Sequence, residues 1–200
     1  MAAERRASVT RETKETNVRV ELNLDGRGEV EVATGIGMLD HLIAQIGKHG
    51  LIDITVNASG DLSTDEHHTL EDVGLALGRA LDEALGDRDG IERMADATVP
   101  LDEALASVAV DLSGRGYAVL DAAWTGERMG ELPVDMVSHL LWSLASEGKL
   151  TLHARVLSGV NDHHKAEALF KALGRALGAA CRPRSRAADQ SPSTKGTLKP

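Results

Sequence analysis

The sequence predicts an α+β fold of two similar halves, each running strand, strand, helix, strand, helix, with sheets packed against helices. Three observations carry this. DEHHTLEDVGLALGRALDEAL (65–85) and NDHHKAEALFKALGRALGAAC (161–181) are near copies: at an offset of 96 they share His67/His163, His68/His164, Glu71/Glu167 and the run ALGRAL (76–81 and 172–177). MLDHLIAQI and MVSHLLWSL repeat at an offset of 98, matching Met38/Met136, His41/His139 and Leu42/Leu140. Runs that alternate apolar and polar residues surround these helical stretches in the same order in both halves.

Residues 1–16 are charged and Thr-rich, after which VRVELNLDG alternates up to an Asp25-Gly26 turn and GEVEVAT resumes the alternation, predicting a first hairpin. Gly35 and Gly37 break the pattern, and MLDHLIAQIGKHG reads as a short helix ending near Gly50. LIDITVNASGD is a strand and turn. In the helix over 65–85, Leu70, Val73, Leu77 and Leu81 fall within roughly 80° of the wheel and form a buried stripe. The turn-rich joint from Gly86 to Gly90 closes a first half, 1–90, and the order begins again over 91–182. ALASVAVDLS and YAVLDAAW are strands flanking SGRG, LPVDMVSHLLWSLASEG is a helix, KLTLHARVLSG is a strand, and the second HHxxE helix follows. Over 183–200 the chain turns polar, basic and proline-punctuated, the composition of a disordered tail.

At 200 residues the chain can bury one substantial core or two small packed halves, and with 42% hydrophobic but only 2% aromatic residues that core must rest on Leu, Val, Ile and Ala. The formal charge of -9 argues against general nucleic-acid binding, which wants a basic face. Cys181, the single cysteine, excludes an intrachain disulfide, fits a reducing compartment and reads as a buried helix-end thiol. The N-terminus is polar and no apolar run has membrane length, so the expectation is a soluble, cytoplasmic protein without membrane partners.

The chemistry of HHxxE follows from helix geometry. With about 100° per residue, Glu71 lies between the imidazoles of His67 and His68 on one sector, apart from the apolar stripe. Imidazole with carboxylate suits manganese, iron, zinc or nickel, whereas thiolates would select softer chemistry. Adjacent histidines point about 100° apart and so serve two ions better than they chelate one. His41, His67, His68, His139, His163, His164, Glu71 and Glu167 make eight ligands, four for each of two ions. A six-coordinate ion held by four protein groups keeps two positions for water or substrate, a catalytic arrangement. Spacing leaves open which His meets which ion and whether neighbouring subunits supply some of them. Asp72 beside Glu71 and Asp40 beside His41 are expected to orient imidazoles through hydrogen bonds. Asp102 and Glu103 are assigned to a turn or subunit contact, and Trp124 and Trp142 to packing. A two-metal hydrolase and a metal-buffering shell are the rival readings; the first lacks an evident bridging Asp, and the second would leave the phosphate-binding Arg/Lys set, named below, idle.

RETKETN (11–17), TGIGMLDHL (34–42), DEHHTLEDVGLALG (65–78), GDRDGIER (86–93), PLDEAL (100–105), VDLSGRG (110–116), NDHHKAEALFKALGRAL (161–177) and STKG (193–196) together resemble the imidazoleglycerol-phosphate dehydratases, in family order across nearly the whole chain. The resemblance implies a duplicated ribosomal-protein-S5-domain-2-like fold and a homo-oligomer of twenty-four subunits with sites between them. It implies two Mn2+ per active site and loss of water from imidazole glycerol phosphate, giving imidazole acetol phosphate in L-histidine biosynthesis. Holding both ring nitrogens favours the imidazolate, whose electrons can expel the hydroxyl to a diazafulvene-like intermediate. The resemblance places Glu15 at the site as an acid/base group, with Glu71, Glu167, His41 and His139 at the reacting centre. It assigns the phosphate to Arg93, Arg115 and Lys171, with Gln45, His49, Ser193 and Lys195 also lining the substrate and STKG ordering over it. Gly116 departs from a common Pro, and Met38 and Met94 from common aromatics.

Overall fold

The computed structural model describes residues 5–186, 190–194 and 196. The first half contains β1 (Arg6–Glu12), β2 (Thr16–Asn23), β3 (Val30–Ala33), α1 (Gly37–Gly50), β4 (Asp53–Gly60) and α2 (His67–Leu85). The second contains β5 (Met94–Leu101), β6 (Ala104–Asp111), β7 (Tyr117–Asp121), the short pair β8 (Arg128–Met129) and β9 (Leu132–Pro133), then α3 (Met136–Glu147), β10 (Thr151–Ser158) and α4 (Asp162–Ala180). The main sheets have the orders β1-β2-β4-β3 and β5-β6-β10-β7, so the duplication holds in space as well as in sequence.

Two features differ from the sequence expectation. Each sheet carries an extra edge strand, β1 or β5, which pairs antiparallel with the strand after it. Only Val9 is fully buried in β1 and no residue of β5 is; the inward side chains of β5, Ala95, Ala97, Val99 and Leu101, pack only partly buried against the core, so the apolar signal of both strands is weak. The anticipated hairpin between 18–26 and 28–34 does not form: β2 pairs antiparallel with β4, and β3 joins the far side of β4 in parallel. The Asp53 carboxylate explains this locally, accepting the backbone N–H groups of Arg27 and Glu29 at 2.8 and 2.9 Å and so drawing the turn toward β4.

The helices interlock the halves. α2 lies on β1 and β2 and packs against α3, while α4 lies on β5 and β6 and packs against α1. Leu70, Val73, Leu77 and Leu81 are buried as the stripe predicts, in one apolar cluster continuous across both halves. The repeated ALGRAL run owes its glycine to these crossings. A Cβ on Gly78 would stand 2.5 Å from the carbonyl oxygen of Leu144, and one on Gly174 would stand 2.6 Å from that of Ile46. Trp124 packs on the core, but Trp142 is exposed on α3, which corrects its assignment to packing. Cys181 is buried, and desolvation pushes its thiol up to about 12. Among the described residues no helix is long and apolar enough to cross a membrane.

A buried ion pair sets the start of α4. Lys165 donates to Asp162 and to the Ala123 carbonyl, both at 2.8 Å, and Asp162 accepts Gly126 N–H at 2.7 Å. Burial opposes ionisation of Asp162, but Lys165 and the Gly126 and Thr125 donors outweigh it and hold the carboxyl at about 2. Asp162→Ala strands a buried ammonium, so chemical denaturation should show a loss of about 3–5 kcal/mol. After α4 the chain runs back along the segment Gly90 to Arg93, with Ile91 bridged to Pro183 and the N–H of Gly90 donating to the Gln190 carbonyl.

Candidate functional site

Both HHxxE motifs sit at helix N-termini, and the lone histidines sit on the helices that pack against them. Because α1 meets α4 and α3 meets α2, each lone His reaches the motif of the opposite half. His41 Nε2 lies 3.0 Å from Glu167 Oε2, and His163 Nε2 lies 3.2 Å from the same oxygen. One ligand atom from each of these three residues lies within 4.8 Å of the others, close enough to hold one ion. The mirror cluster joins His139 to His67, ring centres 4.6 Å apart, with Glu71 3.9 Å from His67 Nε2. Two imidazoles and a carboxylate are the donor set expected for manganese, iron, zinc or nickel. Within one chain, each grouping therefore joins a lone histidine of one half to the motif of the other.

The second histidine of each motif faces elsewhere, as a step of about 100° requires. The rings of His67 and His68 stand at 70° to each other, and those of His163 and His164 at 85°. His68 Nδ1 lies 3.1 Å from Asp61 Oδ2 and 3.8 Å from Glu15 Oε2. His164 Nδ1 lies 2.8 Å from Glu103 Oε2. Glu15 occupies the β1–β2 turn, where Thr13 Oγ1 accepts its N–H at 3.1 Å.

From the His41 cluster a row of polar side chains continues along the α1–α4 seam at intervals of four residues. Gln45 Nε2 donates to the His41 carbonyl at 3.2 Å, and Lys171 Nζ lies 2.8 Å from Glu167 Oε1. Burial opposes the charge on Glu167, but Lys171 and His41 outweigh it and hold the carboxyl at about 2. Further along, desolvation lowers the pKa of His49, and the charges of Lys171 and Arg175 lower it more. The seam therefore runs from a metal-type donor set to a cationic end. Arg175 is a member that spacing alone did not single out.

Residues 34–177 match the family model described as imidazoleglycerol-phosphate dehydratase. The chain belongs to the imidazoleglycerol-phosphate dehydratase family. Its members are hydro-lyases of histidine biosynthesis. The protein of that name from Roseiflexus sp. strain RS-1 is 56% identical over 197 residues, covering 98% of this chain and 99% of its own length. The Methanothermobacter thermautotrophicus protein of that name is 51% identical over 198 residues, covering 99% and 100%. The Pyrococcus furiosus dehydratase structure superposes with a TM-score of 0.82 at 35% identity, covering 94% of this chain and 99% of that one. The Staphylococcus aureus dehydratase structure superposes with a TM-score of 0.80 at 30% identity, covering 89% and 99%.

The remaining residues expected of a dehydratase fall as follows. Arg93 places its guanidinium on Asp111, with Nε 2.7 Å and Nη2 3.0 Å from the carboxylate, and donates from Nη1 to the Pro192 carbonyl at 2.8 Å. It thereby pins the tail that carries Ser193, whose carbonyl accepts Gly196 N–H at 3.0 Å. Arg115 is exposed in the loop between β6 and β7. Lys195 lies outside the described residues.

Two expected imidazole partners are corrected. Asp72 is buried and accepts Arg11 Nε at 2.6 Å and the Thr16 hydroxyl, tying α2 to β1 and β2. Asp40 accepts the N–H and hydroxyl of Thr34, at 3.0 and 2.5 Å, and fixes the entry to α1. Each neighbours an expected ligand in sequence, but the helical step turns it away. The carboxylates that reach the second histidines of the motifs, Asp61 and Glu103, lie seven and sixty-one residues earlier in the chain than the rings they touch. Glu103 does hold a turn as expected, accepting Asn161 N–H at 2.9 Å, and it holds His164 besides.

Proposed function

We propose that this chain dehydrates imidazole glycerol phosphate to imidazole acetol phosphate at sites holding two Mn2+ ions. The observation that carries the reading is the crossed cluster of His41, His163 and Glu167 continuing past His49 into a cationic seam of Lys171 and Arg175. An imidazole ring and a phosphate are the two ends of one small molecule, and the seam offers groups suited to each. Bound divalent ions would act as Lewis acids that ease loss of the ring N–H proton, favouring the imidazolate whose electrons can expel the adjacent hydroxyl.

The protein's own groups do the rest. Glu167, held as an anion by Lys171, keeps His41 and His163 facing one point. Glu15 has a largely exposed carboxylate near His68 and is the acid/base group that moves the proton from the carbon bearing the remaining hydroxyl. The enol so formed becomes the ketone. Arg93 and Arg115 join Lys171 on the phosphate, and Ser193 and Lys195 close over it.

His68 and His164 each point away from the cluster on their own chain, and this supports sites completed by other subunits of a homo-oligomer, twenty-four in the family. Its place is the cytoplasm. If ligands come from different chains, a chelator should dissociate or destabilise the particle, and light scattering unchanged by chelation would reject the shared-site arrangement. Since Arg93 holds the tail at Pro192, deletion of residues 190–200 should raise KM or abolish turnover while metal content stays constant. Full activity after that deletion would remove the tail from the reaction.

The deciding assay supplies Mn2+ and imidazole glycerol phosphate to the purified protein and detects the acetol phosphate. Released inorganic phosphate would favour a two-metal hydrolase, and metal binding without turnover would favour a metal buffer.

A further inference from the structure

The carboxylates behind the second histidines divide the work differently in the two halves. Within the clusters, His41 and His163 turn Nε2 toward Glu167, and His67 turns Nε2 toward Glu71. His68 and His164 have Nδ1 engaged, at 3.1 Å by Asp61 and at 2.8 Å by Glu103, which leaves Nε2 as their outward nitrogen. A carboxylate on one ring nitrogen retains the proton there and presents the other nitrogen as a ligand.

The halves supply this partner from different places. Asp61 follows directly on the end of β4, but the position following directly on β10 is Gly159, which has no side chain to offer and a φ of 143°. In the second half the partner comes from the β5–β6 turn, as Glu103, which is further fixed by the N–H groups of Val160 at 3.2 Å and Asn161 at 2.9 Å. The corresponding turn of the first half, β1–β2, carries Glu15, 3.8 Å from His68 Nδ1 and beyond hydrogen-bond distance. Its side chain is 57% exposed.

We propose that Asp61 and Glu103 are positioning residues that hold His68 and His164 as Nδ1–H tautomers with Nε2 presented to a metal, and that Asp61, by taking this task in the first half, leaves Glu15 uncommitted. The duplicated fold then contains two turn carboxylates, of which Glu103 is spent on a histidine and Glu15 is available for proton transfer. This rests on the reading of the HHxxE histidines as metal ligands.

The test is Mn2+ binding, read from the electron paramagnetic resonance signal of the free aquo ion, for the parent, Asp61→Ala, Glu103→Ala, His68→Ala and the Asp61→Ala/His68→Ala double variant. Each carboxylate variant should weaken one class of site about 10–100-fold and leave the other class unchanged. Asp61→Ala should add nothing once His68 is gone, because it acts only through that ring. Asp61→Glu and Glu103→Asp should recover part of the affinity. Glu103→Ala also frees the 160–161 backbone, so melting of the metal-free proteins accompanies the titrations; Asp61→Ala alone decides the matter if Glu103→Ala does not fold. Single variants that bind Mn2+ within twofold of the parent, or an Asp61→Ala effect that persists in full without His68, would overturn the proposal. A parent that binds no Mn2+ would overturn the metal reading itself, and with it this one.

Discussion

Glu167→Gln is expected to lower Mn2+ affinity on the order of 10³-fold and to take turnover down with it. The oxygen that faces both His41 Nε2 and His163 Nε2 belongs to this carboxylate, and its second oxygen faces Lys171. Glutamine keeps the shape but removes the anion, so a mostly buried ammonium loses its partner and the metal loses its charged ligand. Removing one member of a buried pair costs about 3–5 kcal/mol, which is two to four decades in an equilibrium constant. Calorimetric titration with Mn2+ and steady-state rates read the two effects separately. Acidification should not mimic the substitution at this residue. The folded-state pKa of about 2 lies below the ordinary 4.5, so the stabilising charge is present above 4.5 and is lost only as pH falls toward 2. A Glu167→Gln protein that retained parental metal affinity would show that the cluster is not a ligand set.

Gly174→Ala tests the fold and the site together. On helix propensity alone the change should stabilise α4 by about 1 kcal/mol. The crossing reverses the sign, because the new Cβ would lie 2.6 Å from the Ile46 carbonyl oxygen, 2.9 Å from that of Gln45 and 2.9 Å from Ile46 Cα. Backbone cannot step aside as a side-chain tip can, so α1 must move off α4, and net destabilisation of about 1–3 kcal/mol should appear in denaturation. His41 rides on α1 and its two partners on α4. A shift near 1 Å should therefore also reduce turnover by about 10²-fold, even though residue 174 touches no ligand. An alanine variant as stable and active as the parent would mean that the helices do not cross this closely.

These two residues show how differently the parts of the molecule could be read. Glu167 was legible because imidazole and carboxylate at helical spacing, repeated at an offset of 96, imply a ligand face before any fold is known. Gly174 repeats with equal fidelity, yet a glycine within a helix gives no hint of what it admits until the opposing backbone is in view. The edge strands β1 and β5 were hidden for a related reason. Val9 is their one fully buried residue and their other inward side chains are mostly small and only partly buried, so hydrogen bonding to β2 and β6 defines them more than a strong apolar face does. Asp40 and Asp72 misled because adjacency in sequence on a helix places neighbours about 100° apart, whereas Asp61 and Glu103 reach their histidines across turns.

By itself the sequence determined the duplication, the α+β class and the family, all of which are local patterns or the repetition of local patterns. Only the tertiary structure decided that His41, 126 residues away from Glu167, belongs to the motif of the other half, and that His139 likewise joins His67. That pairing follows from which helix packs on which, α1 on α4 and α3 on α2, a long-range choice made by side-chain and backbone complementarity at glycine crossings and not encoded in the spacing of any motif.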